Sequence, residues 1–172
     1  MILVRQEPQF EVVVASLVQK PIVANLLELY VHDFAEFIEC AIGQDGRFGY
    51  QNLDCYWTDP RRYPFLIYVN GGPAGFFFMQ GISSAGGTLW DIVEFFVLRG
   101  YRGRSIGTRV AHEAFARYPG TWQVRVMESN APAFAFWNRT VRAFAGENVA
   151  LDQIVVEDRR WNRFLFVSPP VD

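Results

Sequence analysis

Two features of this chain could do chemistry, and they adjoin. Glu94 is a carboxylate set among apolar residues in Trp90-Asp-Ile-Val-Glu-Phe-Phe-Val-Leu98. A charge in such company must be paired, hydrated or functional. The ordinary alternative to a functional role is an ion pair with a neighbouring arginine. Directly after that apolar run comes a basic, glycine-bearing loop, Arg99-Gly-Tyr-Arg-Gly-Arg-Ser-Ile-Gly-Thr108, with a helix expected to begin near Ser105 or Ile106. A helix start leaves several backbone N–H groups without intrahelical partners, and the macrodipole adds about half a positive charge there. Gly103 and Gly107 let the backbone come close to a ligand, while Arg99, Arg102 and Arg104 supply planar, permanently charged donors that fit phosphate oxygens. The stretch reads either as a cradle for a diphosphate-bearing cofactor or as a loop with a solvated basic tip.

The elements that must position these groups follow from periodicity. Phe10–Ala15 reads as a first strand. From Pro21 the apolar residues Val23, Leu26, Leu27, Tyr30, Phe34, Phe37, Ile38 and Ala41 fall at three- and four-residue steps, which predicts a helix stopping at Gly43. Glu28, His32 and Glu36 fall on its other face, a solvated surface or an acidic lip for a cationic amine. Residues 43–64 read as an irregular connection with one short helix, in which Tyr50, Tyr56 and Trp57 either line a pocket or pack on the sheet. Phe65–Val69, a turn at Asn70-Gly-Gly-Pro73, and Ala74–Gln80 form a strand, turn and strand. Leu89–Leu98 is the longest strand. Strict alternation along it puts Trp90, Ile92, Glu94 and Phe96 on one face, with Asp91, Val93, Phe95 and Val97 on the other. Ile106–Tyr118 is a helix in which His112 is a packing or surface residue. Trp122–Met127 is a strand, a helix follows from Ser129 or Asn130 to Gly146, and strands near Ala150–Val156 and Trp161–Val167 close the chain.

Composition bounds the possibilities. The chain has 172 residues, 51% of them hydrophobic and 16% aromatic, which suits one folded domain over 1–172 with a real core. A formal net charge of −2 gives no electrostatic case for nucleic acid or a membrane surface. Cys40 and Cys55 have no metal-type spacing with histidine or with each other, so no metal is expected, and idle thiols fit a reducing compartment. No apolar run approaches the ~18 residues of a membrane span, and the expectation is a cytoplasmic protein.

Arg102-Gly103-Arg104-Ser105-Ile106-Gly107 resembles the pyrophosphate loop of the GNAT acetyltransferases, R/Q-x-x-G-x-G/A, with Ser105 where the middle glycine is usual. Serine is small and is a good helix N-cap. Asn130-x-x-Ala133-x-x-Phe136-Trp137 resembles the same family's N-x-x-A-x-x-F/L-Y segment, one helix and one strand further on. The specific likeness covers Glu94 to Phe144. It implies an α/β (α+β) GNAT fold, a mixed sheet of six or seven strands with about four helices, whose fourth and fifth strands splay to admit acetyl-CoA. Carried over by position, backbone groups of Phe96, Val97 and Leu98 face the pantetheine arm. Arg102, Gly103, Arg104, Ser105, Ile106, Gly107 and Thr108 hold the diphosphate, and Asn130, Phe136 and Trp137 border the thiol end. Glu94 stands where several members place a catalytic carboxylate, with Asp91 the weaker candidate. The family's tyrosine, general acid toward the departing thiolate, is replaced by Trp137, whose indole has no usable acidic proton.

The resemblance thus implies an acetyl-CoA-dependent N-acetyltransferase acting on a primary amine of a small molecule or peptide. Trp137 motivates a second reading, a coenzyme A-binding or acyl-CoA-binding module without catalysis. A Rossmann or P-loop nucleotide binder is rejected, because the loop has neither G-x-G-x-x-G nor G-K-[ST]. The amine's identity is open, and so is the oligomeric state, homodimers being common for folds of this size.

Overall fold

The computed structural model describes residues 9–169. Seven strands form one mixed sheet in the order β1-β2-β3-β4-β5-β7-β6. They are β1 (Phe10–Val14), β2 (Arg62–Val69), β3 (Gly72–Ser84), β4 (Gly87–Val97), β5 (Gly120–Met127), β6 (Val149–Val156) and β7 (Arg159–Ser168). Four helices accompany it: α1 (Lys20–Phe34), α2 (Cys55–Thr58), α3 (Ile106–Arg117) and α4 (Ala131–Ala145). All neighbours pair antiparallel except β4 and β5, which run parallel. A parallel pair needs a crossover, and α3 supplies it between those two strands.

The sheet separates two apolar compartments. On one side Val110, Ala111 and Phe115 of α3 and Trp137 and Val141 of α4 pack on Phe77, Ile92, Val97, Trp122 and Phe164. On the other, Val23, Leu26 and Leu27 of α1 and Tyr56 of α2 pack on Leu66, Phe76, Phe78 and Phe96. The aromatic richness of the sequence goes into these layers. Phe65 stacks on Phe77 with ring centroids 4.5 Å apart, and Tyr56 stacks on Phe78 at 3.9 Å.

Besides β3, whose 13 residues outrun the 11 of β4, the longest strand expected from the sequence, three sequence expectations are corrected. The first helix ends at Phe34 rather than running on toward Gly43. Phe37 keeps its apolar contact through a turn, its N–H bonding the Phe34 carbonyl at 2.9 Å and its ring meeting Phe34 at 6.0 Å. The chain needs that exit to double back over α1. The second correction is the alternation along β4, which a bulge interrupts. The third concerns Ser105, whose side chain makes no capping bond. Cys40 and Cys55 are free and partly exposed.

Candidate active site

β4 carries the bulge beside its most unusual side chain. Phe78 pairs with Glu94 and Met79 with Ile92, so Val93 is the extra residue. A bulge reverses the facing of everything beyond it. Ile92 therefore packs with Phe95 and Val97 on the α3–α4 side, while Phe96 packs on the α1 side. Strict alternation had put Glu94 with both Ile92 and Phe96, and the bulge parts it from Ile92. The structure puts it with Phe96, and it brings Asp91 onto the same side as Glu94. There Tyr30 of α1 donates its hydroxyl to Glu94 Oε2, and Tyr50 donates to Oε1 at 2.9 Å. Burial pushes the Glu94 carboxyl above its ordinary range, and nearby Asp91 adds to this. The two tyrosine hydrogen bonds and Arg125 work against it.

Glu94 has no arginine partner of its own among the described ion pairs; Asp91 has one. Fully buried, Asp91 accepts from Arg125 Nη2 at 2.7 Å and from Gln80 Nε2 at 3.0 Å, both on Oδ2. Its Oδ1 and Arg125 Nε have no hydrogen-bond partner among the described residues. The ion pair ties β4 to β5 and leaves Glu94 half-buried and without an ion-pair partner among the described residues.

Beyond this tie the two strands part. They pair only from Leu89–Thr121 to Ile92–Val124, yet β4 continues to Val97 and β5 to Met127. A cavity of about 590 Å³ opens between the end of β4, the 99–108 loop, the starts of α3 and α4, and the end of α1. Phe96, Val97, Arg102, Gly103, Ser105, Ile106, Gly107, Thr108, Asn130, Phe136 and Trp137 line it. Glu94, Leu98 and Arg104 do not; Glu94 meets the wall only through Tyr30, which lines it, and the Leu98 N–H is spent on the Ala74 carbonyl at 2.8 Å.

The loop's backbone explains its composition. Gly103 has φ 74° and Ser105 φ 58°, both left-handed, so glycine suits each position. This contortion delivers the chain to α3, whose first helical residue is Ile106. Its opening amides have no intrahelical carbonyl to bond; the first recorded bond is Arg109 N–H to Ser105 O at 3.0 Å. A Cβ on Gly107 would come within 3.2 Å of the Phe136 ring, so glycine allows α4 to lie against α3 here. At the start of α4, Asn130 Oδ1 accepts from Ala133 N–H at 3.0 Å, a side-chain cap.

The arginines divide their duties. Arg99 and Arg102 both bind Asp33 at the end of α1, at 2.7 and 2.8 Å, and Arg102 Nε also bonds the Val97 carbonyl at 2.7 Å. Those two brace the cavity wall. Arg104 is exposed beside the cradle. Among the described residues no cluster of three or more His, Cys, Asp or Glu could hold a metal.

A family model described as the Acetyltransferase (GNAT) family matches residues 24–141. The chain belongs to the GNAT acetyltransferases. A search of curated proteins finds no match. Solved structures match over nearly the whole chain. An acetyltransferase from Thermus thermophilus has a TM-score of 0.64 at 17% identity, covering 92% of this chain and 97% of that one. A spermidine N-acetyltransferase from Vibrio cholerae, solved with CoA and spermine, has a TM-score of 0.64 at 11% identity, covering 93% and 96%. The ribosomal-protein-S18-alanine N-acetyltransferase of Escherichia coli has a TM-score of 0.60 at 12% identity, covering 95% and 97%. The splayed mixed sheet with four helices is the GNAT fold, and the enzyme class is acyltransferase.

Within this GNAT cleft, Trp137 is buried, its ring 5.0 Å from Phe95 and 4.9 Å from Phe136. Two further residues matter that sequence reasoning did not single out, and a third, Glu28, has a duty it did not foresee. Tyr30 read as one more apolar position of a helix, and only its hydroxyl hinted otherwise. Asp33 gave no signal. Glu28, read as part of a solvated face or an acidic lip, instead accepts from the Phe48 and Gly49 amides at 2.7 and 3.2 Å. It pins the loop that presents Tyr50. His112 bonds the Thr140 carbonyl at 2.9 Å and serves packing between α3 and α4.

Proposed function

We propose that this chain is an acetyl-CoA-dependent N-acetyltransferase of a primary amine, on a small molecule or a peptide. One observation carries the reading: a carboxylate of raised pKa, in no ion pair among the described residues, stands on β4 where the sheet opens next to a helix start with free amides. Acetyl-CoA supplies an acetyl thioester. The chain's residues fit it: the amides of residues 103–108 and exposed Arg104 suit a diphosphate, and the apolar walls of Phe96 and Val97 suit a thin pantetheine arm. Glu94 would take the proton from the amine, which is charged near pH 7 and must lose it before attack. A raised carboxyl pKa narrows the gap between base and amine. Tyr50 and Tyr30 hold the carboxylate in place.

The spermidine N-acetyltransferase and the ribosomal-protein-S18-alanine N-acetyltransferase named above are consistent with either kind of amine. Buried Trp137 favours the second reading, a coenzyme A-binding module without turnover.

Calorimetric titration with coenzyme A and acetyl-CoA tests the cradle, with Arg104→Ala as the variant, because Arg102 has a structural duty. Micromolar binding that weakens in the variant is the expected result. A thiol-release assay on a panel of alkyl amines and peptide N-termini then separates enzyme from module. A folded wild type that binds neither ligand overturns the reading.

A further inference from the structure

The departure at Trp137 leaves the departing thiolate without the family's proton donor. Four tyrosines stand near enough to consider. Tyr56 is buried and stacked on Phe78 in the α1-side core, its hydroxyl without a hydrogen-bond partner among the described residues. Tyr50 reaches Glu94 but is not part of the cavity wall. Tyr101 lines the cavity from the 99–108 loop, beyond the end of β4. Tyr30 alone does both things: it lines the cavity with Phe96 and Trp137, and its hydroxyl is bonded to Glu94. Its ring is fixed by Phe34 at 5.6 Å, Phe76 at 5.8 Å and Phe96 at 5.8 Å, so the hydroxyl has little freedom to wander.

We propose that Tyr30 is the catalytic acid of this enzyme, standing in for the tyrosine that Trp137 replaces and coupled directly to the base, Glu94. The inference rests on the acetyltransferase reading above. The protons balance. The charged amine first sheds one proton through Glu94 to solvent, and Glu94 then accepts a second from the nitrogen as the N–C bond forms. The Tyr30 hydroxyl gives its proton to sulfur as the C–S bond breaks, and Glu94 passes its newly gained proton to the Tyr30 oxygen. One proton has then moved from nitrogen to sulfur, and both side chains return to their starting state. Burial and the Glu94 charge hold the Tyr30 phenol well above its ordinary pKa, so it stays protonated near neutrality and acts only in concert with Glu94. The arrangement compensates on α1 for what α4 has lost.

The test uses Tyr30→Phe in the full chain, which keeps the ring and its packing; an unchanged thermal unfolding profile confirms the fold. Calorimetry with coenzyme A and with desulfo-coenzyme A, which lacks the sulfur, reads the contact without turnover. Wild type is expected to prefer coenzyme A, and Tyr30→Phe to lose that preference. In turnover, kcat with acetyl-CoA is expected to fall by roughly 10²-fold or more. With an acetyl donor carrying an aryl thiol, which leaves without protonation, the loss should shrink to under about 10-fold. A Tyr30→Phe protein that keeps both the sulfur preference and its kcat overturns the proposal, as does a matching loss in Tyr101→Phe but not in Tyr30→Phe. If wild type turns over no amine at all, the acetyltransferase reading fails. The desulfo titration then still decides whether Tyr30 meets the sulfur.

Discussion

Glu94 is a carboxylate that folding makes harder to ionise, and that has a thermodynamic sign. Its folded pKa lies above the unfolded one, so it favours the native state at acidic pH. This contribution is lost as pH rises through the raised value. Glu94→Gln removes the group. The stability difference between variant and wild type, followed by denaturant unfolding, is expected to grow in the variant's favour from the ordinary carboxylate range toward neutral pH. A difference that is flat with pH would show that Glu94 ionises freely in the fold. Ser105 makes a second prediction at this scale. A left-handed backbone costs a non-glycine residue roughly 1–2 kcal/mol, and the freedom of glycine in the unfolded chain returns about 0.4–1 kcal/mol. Ser105→Gly should therefore stabilise by about 0.5–1 kcal/mol while keeping coenzyme A affinity, because no side-chain cap is lost.

Among elements, the decisive feature is the fork between β4 and β5. The Arg125–Asp91 pair lies one residue from the last paired position on each strand, closing the fork at its base. Asp91 is 0% exposed and Arg125 27%. Losing the partner of a buried charge costs about 3–5 kcal/mol, and the solvent that Arg125 retains reduces this. Arg125→Ala is expected to destabilise by roughly 2–3 kcal/mol in denaturant unfolding. Asp91→Leu/Arg125→Met should recover most of that, since no stranded charge remains. If the single variant is as stable as wild type, the pair does not hold the fork. The bulge at Val93 belongs to the same scale. Without it, Glu94 would face α3 and α4 with Ile92, away from Tyr30 and Tyr50. The end of α1 makes the third link: Asp33 ties the helix that carries Tyr30 to Arg99 and Arg102 of the loop that forms the cradle.

For the whole molecule, the cleft is a gap in a sheet whose two halves share only a short stretch of pairing. A ligand that fills it links α1, β4, the loop, α3 and α4, and it binds the folded state alone. At a concentration about 100 times its dissociation constant, coenzyme A should add about 2.7 kcal/mol. In a chain of this size that is a rise in midpoint of roughly 5–10 °C by thermal unfolding. A smaller shift at that ratio would mean that the ligand also binds the unfolded chain, or that the two halves do not unfold together.

Much of this was legible in the residues. The order of strands and helices, the loop from Arg102 to Gly107 and the Asn130 segment were readable, because periodicity, turn chemistry and helix starts are local properties. The sequence alone also marked Glu94 as unusual and Trp137 as a departure. Local pattern misled where a single extra residue changed the register, since alternation along β4 carries no sign of the Val93 bulge. Nor could it show that Arg99 and Arg102 are spent on Asp33, that Arg125 belongs to Asp91, or that Tyr30 and Tyr50 converge on Glu94. Those pairings join residues far apart in the chain. Only the folding of α1 and the returning loop onto one face of the sheet brings them together, and only the tertiary structure decides which charge finds a partner.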